Sequence, residues 1–303
     1  MTNDLMINFR SGYVSIIGRP NVGKSTLLNS ILGEKIAIVT PKPQTTRNRI
    51  IGIKTLPDAQ IIFIDTPGIH RPRHKLGVAM VRTVMEALKE VDVILLMVEP
   101  YEPMKGDKAI IDLLKKILHL RRTPVFLLIN KIDTVRKPEI LPLIEHFKEL
   151  YPFEEIIPIS ALTQDGIDLL IKRICGYLPP GPAYYPDDLV TDQLERFMVS
   201  EIIREKVMDM TEEEIPYSVA VEVAGWEERE DGLISISSNI YVEREGQKGI
   251  IIGKKGTMLK SIGTAARVDI EKLLNTKVFL ELWVKVKKDW RNDKQLLHEL
   301  GYK

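Results

Sequence analysis

The sequence predicts two domains: an α/β domain with a doubly wound, mostly parallel sheet, and after it a small α+β domain. The 303 residues are enough for two cores of about 150 residues each. Continuous apolar runs alternate with helical patterns over residues 1–178, which is typical of parallel strands covered by helices on both faces. A proline-rich linker, residues 179–187, separates them from residues 188–303, where strands alternate apolar and polar residues.

The first domain is predicted from five apolar runs and one edge strand. Since both faces of such runs are apolar, we expect them to form the buried parallel strands. An antiparallel edge strand is expected over residues 49–55, and a helix over residues 26–32. The apolar runs are residues 13–17, 61–64, 93–98, 125–129 and 156–159.

The second domain is predicted to have the element order α-β-β-α-α-β, followed by a short final helix. A stripe of period 3.6 favours a first helix of about twenty residues over 188–210. A helix-loop-helix is expected over 249–275 and the final helix over 292–300. The three strands are expected over 217–226, 232–242 and 277–287.

Composition excludes several classes of protein. With 44% hydrophobic and 28% charged residues, the chain is close to the globular average and is neither disordered nor fibrous. Its longest apolar runs are far shorter than the roughly 18–20 residues that a membrane-spanning helix needs. Residues 1–6 do not resemble a secretory signal, and the single cysteine, Cys175, cannot form an internal disulfide. We therefore expect a cytoplasmic protein.

The net charge of +1 conceals an uneven distribution. Residues 181–239 contain 4 basic and 15 acidic residues, whereas residues 240–303 contain 14 basic and 8 acidic residues. A basic C-terminal block attracts nucleic acid, and the acidic block before it repels phosphate. Ordinary solvated surfaces remain the alternative on charge alone.

A phosphate-binding loop is predicted at residues 18–25, GRPNVGKS, which fit the pattern G-x-x-x-x-G-K-[ST] between a strand and a helix. Its glycines let backbone N–H groups approach a polyphosphate at the positive end of the helix. A plain turn with a surface lysine is the alternative. Lys24 is expected to neutralise the β- and γ-phosphates, and the Ser25 hydroxyl to bind Mg²⁺. The predicted loop residues are Gly18, Asn21, Val22, Gly23, Lys24, Ser25 and Thr26.

A second motif, Asp65-Thr66-Pro67-Gly68, follows the strand at 61–64. An aspartate at the carboxyl end of that strand faces the same crevice as the phosphate loop. Asp65 can hold Mg²⁺ through water, and the Gly68 N–H can bond a γ-phosphate. An ordinary β-turn is the alternative for this motif taken alone.

Guanine recognition is predicted at the ends of the next two strands. Asn130-Lys131-Ile132-Asp133 places a carboxylate where it can accept hydrogen bonds from the N1–H and the N2 amino group of guanine. Adenine has neither donor on that edge, so an unpaired carboxylate would reject it. Asn130 is expected to bond the base and join loops, and the Lys131 stem to cover the base. Ser160, Ala161 and Leu162 follow the last strand, with the Ala161 N–H near guanine O6.

These motifs, with Gln44-Thr45-Thr46-Arg47, resemble the translation-factor-related GTPases of the Ras-like superfamily. The resemblance implies GTP or GDP with Mg²⁺ as ligands. It also implies that one threonine of the pair closes on Mg²⁺ when a γ-phosphate is bound, and we expect Thr46. The metal ligands are then Ser25, Thr46 and Asp65, and the catalytic residues are Lys24, Thr46 and Gly68. Residues 36–49 become the first switch and residues 68–77 the second.

One departure from that class concerns the attacking water. Small Ras-like enzymes carry a glutamine directly after the second motif, whereas this chain has Ile69, which cannot bond water. We expect slow hydrolysis unless the backbone, an ion or a partner positions the water. His70 and His74 lie nearby, but a solvated basic loop is the favoured interpretation, and Pro72 argues against a metal site there.

RNA binding is predicted at Gly253-Lys254-Lys255-Gly256, between the two helices of the helix-loop-helix. A G-x-x-G pattern is weak by itself, and the chain has a second one at residues 246–249. The element order matches a KH domain of the second type, in which this loop meets phosphates. A packing module with a charged loop is the alternative. The candidates are Ile252, Gly253, Lys254, Lys255, Gly256, Lys260, Ile262 and Arg267, with Ile252, Ile262 and Val268 expected to line an apolar cleft.

Taken end to end, the chain resembles the Era family, bacterial GTPases with a C-terminal KH domain. That resemblance implies binding to single-stranded RNA near the 3′ end of 16S ribosomal RNA during maturation of the 30S subunit, with GTP favouring the RNA-competent arrangement. It implies a monomer and leaves open peripheral association with the inner face of the cell membrane. The alternative is a GTP-dependent module that binds protein or membrane, for which RNA is incidental.

Overall fold

The computed structural model describes residues 9–69, 72, 74–89, 91–118 and 122–302. His70 and residues 1–6, for which predictions were made, lie outside the described residues. Contacts divide the chain into two compact units. The first comprises residues 1–37, 46–71 and 80–192, and the second comprises residues 38–45, 72–79 and 193–303.

The first unit contains a six-stranded sheet of order β2-β3-β1-β4-β5-β6, in which only β2 is antiparallel to its neighbour. This confirms the doubly wound α/β prediction and the antiparallel edge strand. The strands are β1 (Arg10–Gly18), β2 (Ile50–Thr55), β3 (Ala59–Asp65), β4 (Val93–Val98), β5 (Val125–Ile129) and β6 (Glu155–Pro158). The helices are α1 (Lys24–Leu32), α2 (Lys75–Ala87), α3 (Lys105–Leu118), α4 (Ile140–Leu150) and α5 (Ile167–Tyr177).

The core of this unit lies around the neighbouring strands β4 and β5, which are apolar along their whole length. All residues of β4 and β5 are buried, as expected for strands covered on both faces. Helices α2, α3 and α4 supply the apolar side chains that cover one face, among them Val84, Leu114 and Phe147. The carboxyl ends of β1, β3, β5 and β6 carry the predicted loops, so the rigid sheet fixes where those loops begin.

The second unit contains a three-stranded sheet of order β7-β8-β9, with β8 and β9 parallel. The predicted order α-β-β-α-α-β is confirmed, with one additional helical turn before the first strand. The elements are α6 (Glu195–Met210), α7 (Ile215–Ser218), β7 (Ala220–Glu228), β8 (Ile234–Val242), α8 (Glu245–Ile252), α9 (Thr257–Leu274), β9 (Val278–Val286) and α10 (Lys294–Glu299).

Helix α6 begins at Glu195, seven residues later than the predicted helix 188–210. The residues before it bond to β2 instead of to a helix. The Val190 carbonyl accepts a hydrogen bond from the Ile53 N–H at 2.7 Å, and the Thr191 hydroxyl donates to the Ile51 carbonyl at 2.6 Å. This tertiary pairing has no sign in the local sequence pattern, which explains the error. Among the described residues, no helix is both long and apolar enough to cross a bilayer.

Candidate functional site

Close backbone approach requires glycine at two positions of the loop between β1 and α1. A Cβ atom on Gly18 would lie 2.5 Å from the Met97 carbonyl oxygen. Gly23 has a φ of 102°, and a Cβ atom there would lie 2.3 Å from Nδ2 of Asn130. Any larger residue at either position would displace the loop. The pattern of two glycines five residues apart is therefore a geometric requirement of this turn.

Lys24 lies at the start of α1 and is buried. Its Nζ donates to the carbonyl oxygens of Arg19 at 3.0 Å and of Gly18 at 3.4 Å. Burial lowers the pKa of Lys24 to about 8, although the nearby Asp65 carboxylate opposes this shift. The ammonium is thus poorly solvated and is positioned at the phosphate loop, where phosphate oxygens would stabilise its charge.

Ser25, Thr46 and Asp65 lie close together, as the sequence predicts. The Ser25 hydroxyl donates to Oδ2 of Asp65 at 2.6 Å and lies 2.8 Å from the Thr46 hydroxyl, which is itself 3.4 Å from that carboxylate oxygen. Burial raises the pKa of Asp65, against the opposing effect of Lys24. Within the described part of the chain, the buried Oδ1 of Asp65 has no hydrogen-bond partner. Two hydroxyls and a carboxylate with a spare oxygen are the oxygen ligands that Mg²⁺ prefers, so these residues fit that ion.

The two adjacent threonines have different surroundings. Thr46 is buried beside Ser25 and Asp65, whereas the Thr45 hydroxyl donates to the Lys42 carbonyl at 2.6 Å and lies 3.0 Å from the Thr40 hydroxyl. The structure therefore brings Thr46, and not Thr45, to the expected metal ligands.

Gly68 and Ile69 pass directly over the phosphate loop. A Cβ atom on Gly68 would lie 2.7 Å from the Pro20 nitrogen, and the Ile69 N–H donates to the Gly18 carbonyl at 3.1 Å. The Ile69 side chain is partly buried against the apolar core of the first unit. It therefore belongs to the packing of the core and offers no group to a water molecule.

Asn130 joins the loops that are expected to surround the base. Its Nδ2 donates to the Val22 carbonyl at 2.8 Å, and its Oδ1 accepts from the Ala161 N–H at 2.9 Å. Asp133 accepts from the Ser160 hydroxyl at 2.6 Å, and its carboxylate is otherwise exposed. Three loops from three strands are thus held together by buried hydrogen bonds.

One base contact differs from the prediction. The Ala161 N–H, expected to face guanine O6, donates to Asn130 in this structure, and Ala161 is buried. A base at this position would share that N–H with the asparagine. Leu162 is 77% exposed and lies at the edge of the site, where its side chain is available to cover a ligand.

Several supporting residues have no motif in the sequence. Asn29 of α1 accepts from the N–H groups of Ile36 and Ala37 and donates to the Ala37 carbonyl, which fixes the start of the first predicted switch. Glu99 pairs with Lys131 at 2.6 Å and with Arg19 at 3.0 Å. These contacts join residues far apart in the chain, so no local pattern could have indicated them.

In the second unit, the loop between α8 and α9 has the shape that the paired glycines predict. Gly253 has a φ of 73°, and a Cβ atom there would lie 2.7 Å from the Met258 Cβ. Gly256 has a φ of 78°, and both Lys254 and Lys255 between them are exposed. The other G-x-x-G pattern, residues 246–249, lies inside α8 and forms no loop.

A groove of about 540 Å³ runs from this loop between α9 and the edge strand β9. Gly256 of the loop and the basic residues Lys260 and Arg267 of α9 are among the residues that line it. A Cβ atom on Gly263 would lie 3.3 Å from the Leu282 side chain, so this glycine keeps the two walls close. The lining residues are Gly256, Leu259, Lys260, Gly263, Thr264, Arg267, Phe279, Leu280 and Leu282.

The predicted apolar lining of this groove was wrong. Ile262 is fully buried in the core of the second unit, and Ile252 is partly buried against that core. Val268 is 46% exposed but lies outside the groove. The error arose because helical periodicity places Ile262 on the side of α9 that faces the core. The groove is instead lined by Leu259 from the neighbouring stripe of α9 and by Leu280 and Leu282 of β9.

These features define a class of protein: a P-loop GTPase joined to a KH domain. Residues 13–131 match the family model of the 50S ribosome-binding GTPases, and residues 214–291 match that of the KH domain. The chain is 60% identical to the GTPase Era of Geobacter metallireducens, over 97% of this chain and 98% of that protein. It is 54% identical to the GTPase Era of Ruminiclostridium cellulolyticum, over 98% and 99%. The chain therefore belongs to the Era family of GTPases.

Two solved structures extend the comparison. Aquifex aeolicus Era bound to GDP·AlF4⁻ is 44% identical and superposes with a TM-score of 0.93, covering 97% of this chain and 99% of that chain. Era in complex with MgGDPNP and nucleotides 1506–1542 of 16S ribosomal RNA is 43% identical, with the same TM-score and coverage. The resemblance inferred from the motifs is thereby confirmed over nearly the whole chain.

Proposed function

We propose that this GTPase is a Mg²⁺-dependent molecular switch that binds single-stranded RNA near the 3′ end of 16S ribosomal RNA and assists maturation of the small ribosomal subunit. The observation that supports the switch is the cluster of Ser25, Thr46 and Asp65 beside Lys24, because it joins the phosphate loop to the first predicted switch and to the strand end that precedes the second. The proposed binding of RNA is supported by the groove of the second unit and by the RNA bound in the structure of a 43% identical Era.

The nucleotide-binding residues have separable tasks. Lys24 and the backbone N–H groups of the phosphate loop bind the phosphates, and Gly68 allows the chain to approach the γ-phosphate. Ser25, Thr46 and Asp65 would hold Mg²⁺, which supplies positive charge to the phosphate oxygens when bound. Asp133 reads the hydrogen-bonding edge of guanine, and Asn130 keeps the base loops attached to the phosphate loop.

Hydrolysis is expected to be slow because no side chain at position 69 orients water. We predict that Ile69→Ala changes the GTP turnover rate by less than about tenfold, since the isoleucine serves packing and has no chemical task. Multiple-turnover phosphate release would measure this, with thermal unfolding as the control for lost packing. A fall in turnover beyond about a hundredfold in a folded variant would show that Ile69 takes part in catalysis.

RNA affinity in three nucleotide states tests the proposed function. The probe is an RNA of nucleotides 1506–1542 of 16S ribosomal RNA, measured with Mg²⁺ and GDPNP, with GDP, and without nucleotide. We expect the tightest binding with GDPNP. Equal affinities in the three states would contradict the proposed switch, and no binding in any state would exclude the proposed RNA role.

The salt dependence of binding distinguishes RNA recognition from the alternative of a protein- or membrane-binding module. Contacts with about four phosphates predict a slope near −3 in a plot of log affinity against log salt. Lys254→Gln or Lys255→Gln should reduce that slope by about 0.7 each, because each removes one phosphate contact. A flat slope together with tight binding to protein or to anionic vesicles would support the alternative.

We also propose domain limits of 1–178 and 188–303, with a linker at 179–187, and a monomeric state. The linker residues bond extensively to the first unit, as in the 3.2 Å hydrogen bond from the Ser11 N–H to the Pro179 carbonyl. A cytoplasmic location, with or without peripheral membrane association, follows from the proposed ribosomal role.

A further inference from the structure

Part of the first predicted switch packs as a component of the second compact unit. Residues 38–45 group with residues 193–303, whereas Thr46, the next residue, groups with the first unit. The boundary between the two units therefore falls at the peptide bond that precedes the proposed metal ligand. Three residues of this segment, Val39, Lys42 and Thr45, bond to α6 or to Thr211 directly after it.

Arg204 of α6 makes the central contact. Its side chain is fully buried, and Nη2 donates to the Thr45 carbonyl oxygen. Its Nε and Nη2 also donate to the two carboxylate oxygens of Glu201, at 2.7 and 2.5 Å. Burial disfavours the charged guanidinium, but Glu201 outweighs this effect and the pKa of Arg204 lies above its usual value. The guanidinium is thus permanently charged, is held by two hydrogen bonds to Glu201, and is fixed against the Thr45 carbonyl.

Two further contacts hold the same segment. Lys42 donates from Nζ to the Met208 and Thr211 carbonyl oxygens, where the carboxyl end of α6 favours a positive charge. The Val39 N–H donates to Oε1 of Glu205 at 3.0 Å. Residues 39, 42 and 45 are therefore all held by the carboxyl-terminal part of α6 and the residue after it, so the segment has little freedom to rotate independently of α6.

The Thr45 carbonyl and the Thr46 N–H belong to the same planar peptide unit. Fixing that carbonyl fixes the direction in which the chain enters Thr46, whose hydroxyl lies 2.8 Å from the Ser25 hydroxyl. We propose that Arg204 is a positioning residue: by holding the Thr45 carbonyl it makes magnesium ligation by Thr46 and the packing of residues 38–45 on α6 a single equilibrium. This inference rests on the proposed function, because it names the residues through which nucleotide state reaches the RNA-binding unit.

Thermodynamic linkage makes the effects of nucleotide on RNA binding and of RNA on nucleotide binding equal. If GDPNP raises RNA affinity by some factor relative to GDP, RNA must raise GDPNP affinity relative to GDP by the same factor. The contacts of Arg204 with Thr45 and of Lys42 with Met208 and Thr211 carry that factor. Removing these contacts should bring that factor towards one, both for the effect of nucleotide on RNA affinity and for the effect of RNA on nucleotide affinity. Binding of GDP should change little, because GDP has no γ-phosphate to recruit Thr46.

Two variants test this prediction. Lys42→Met removes two hydrogen bonds from a partly buried side chain and keeps most of its length. The double variant Arg204→Met with Glu201→Gln removes both members of the buried ion pair, because the single change would leave an uncompensated charge in the core. Lys89→Met, at an exposed lysine in the turn after α2, is the matched control. Thermal unfolding of each variant verifies that the chain is folded.

The measurements are RNA affinity with Mg²⁺ and GDPNP and with GDP, and the Mg²⁺ concentration needed for half-maximal GDPNP binding. In both test variants we expect the GDPNP-to-GDP ratio of RNA affinities to fall to within about twofold of one, and the Mg²⁺ requirement for GDPNP, but not for GDP, to rise severalfold. A purely structural role would weaken binding of the two nucleotides equally and leave the ratio unchanged.

The outcomes separate this inference from the proposed function. If the unmodified chain binds no RNA, or binds it equally in all states, the proposed function fails. If the unmodified chain shows a ratio above one and folded Lys42→Met or the double variant keeps it, the positioning role of Arg204 is overturned while the proposed function stands. A fall of the GDPNP-to-GDP ratio to one in Lys89→Met would also overturn the positioning role, because the fall would not depend on the contacts of Arg204 and Lys42.

Discussion

At the scale of single residues, the nucleotide site depends on a few side chains whose polar atoms have little contact with water. Asp65 has one carboxylate oxygen bonded to Ser25 and another that is buried with no hydrogen-bond partner in the described structure. Lys24 is surrounded by backbone carbonyls, which are weak substitutes for phosphate oxygens. Such groups are costly to keep in the nucleotide-free protein, and ligand binding recovers part of that cost.

Asp133 should determine the choice of base. In Asp133→Asn, one acceptor for the guanine edge becomes a donor, so we expect GTP affinity to fall by about a hundredfold or more, from two lost hydrogen bonds to a charged group at about 1.5–3 kcal/mol each. Xanthosine triphosphate, which presents the complementary pattern, should bind better than GTP. Competition binding with both nucleotides measures this. The amide oxygen can still accept from Ser160, so folding should be unaffected, and unchanged GTP affinity would contradict the role.

Lys24 should couple nucleotide binding to pH. Its pKa of about 8 means that part of the lysine is neutral in the free protein above that pH. Phosphate oxygens favour the ammonium form, so binding takes up protons, and affinity falls as pH rises above about 8. Calorimetry of GDP binding at pH 8.5, in buffers of different ionisation enthalpy, should show uptake of up to roughly three-quarters of a proton. This contribution should vanish near pH 7, and its absence at pH 8.5 would show that Lys24 is charged in the free protein.

At the scale of elements, the proposed RNA groove is a property of the pair α9 and β9. The helix contributes a stripe of residues at spacings of three and four, and the strand contributes alternate residues from one face. The edge position of β9 leaves that face accessible beside the helix. Gly263 sets the distance between the two elements, because a larger side chain would contact Leu282.

Gly263→Ala should therefore weaken RNA binding without lowering stability. Alanine favours the helix by up to about 1 kcal/mol relative to glycine, so we expect the free energy of unfolding to stay equal or to rise. The added methyl group should narrow the groove and weaken RNA binding by roughly 1 kcal/mol, a factor of about five. Fluorescence anisotropy and chemical denaturation measure the two effects. Ser261→Ala, on the same helix but outside the groove, should change stability alone. Equal RNA affinity in the two variants would exclude Gly263 from the binding surface.

At the scale of the whole molecule, each compact unit has its own apolar core. The core of the second unit includes Val199, Ile203, Ile240, Ile262 and Ile270, which come from α6, β8 and α9. The core of the first unit includes Val84, Leu96, Leu127 and Phe147, from the central strands and the helices that cover one face of the sheet. A chain with two independent cores need not unfold in one step, and a ligand stabilises the unit that binds it.

Differential scanning calorimetry should therefore show ligand-specific shifts. GDP at about 100 times its dissociation constant should stabilise the first unit by about 2.7 kcal/mol and leave the transition of the second unit unchanged. GDPNP with Mg²⁺ should shift both transitions, because Thr46 is joined to a segment that packs in the second unit. The RNA probe alone should shift the second transition. If GDP and GDPNP shift both transitions equally, the γ-phosphate has no separate path to the second unit.

The sequence by itself determined the chemistry of this protein and the order of its elements. The loop glycines, Lys24, Asp65, Asn130 and Asp133 lie at strand ends because local patterns specify both the strands and the turns that follow them. For the same reason the predicted limits of β4 and β5 agree with the structure.

Only the tertiary structure decided where the intervening segments pack. It brought Thr46, rather than Thr45, to Ser25, placed Ile262 in the core, and joined Arg204 to a carbonyl 159 residues away. It also began α6 at Glu195 because residues 190 and 191 bond to β2. Such contacts depend on buried polar groups finding partners in distant parts of the chain, and no periodicity or motif within a local window records them.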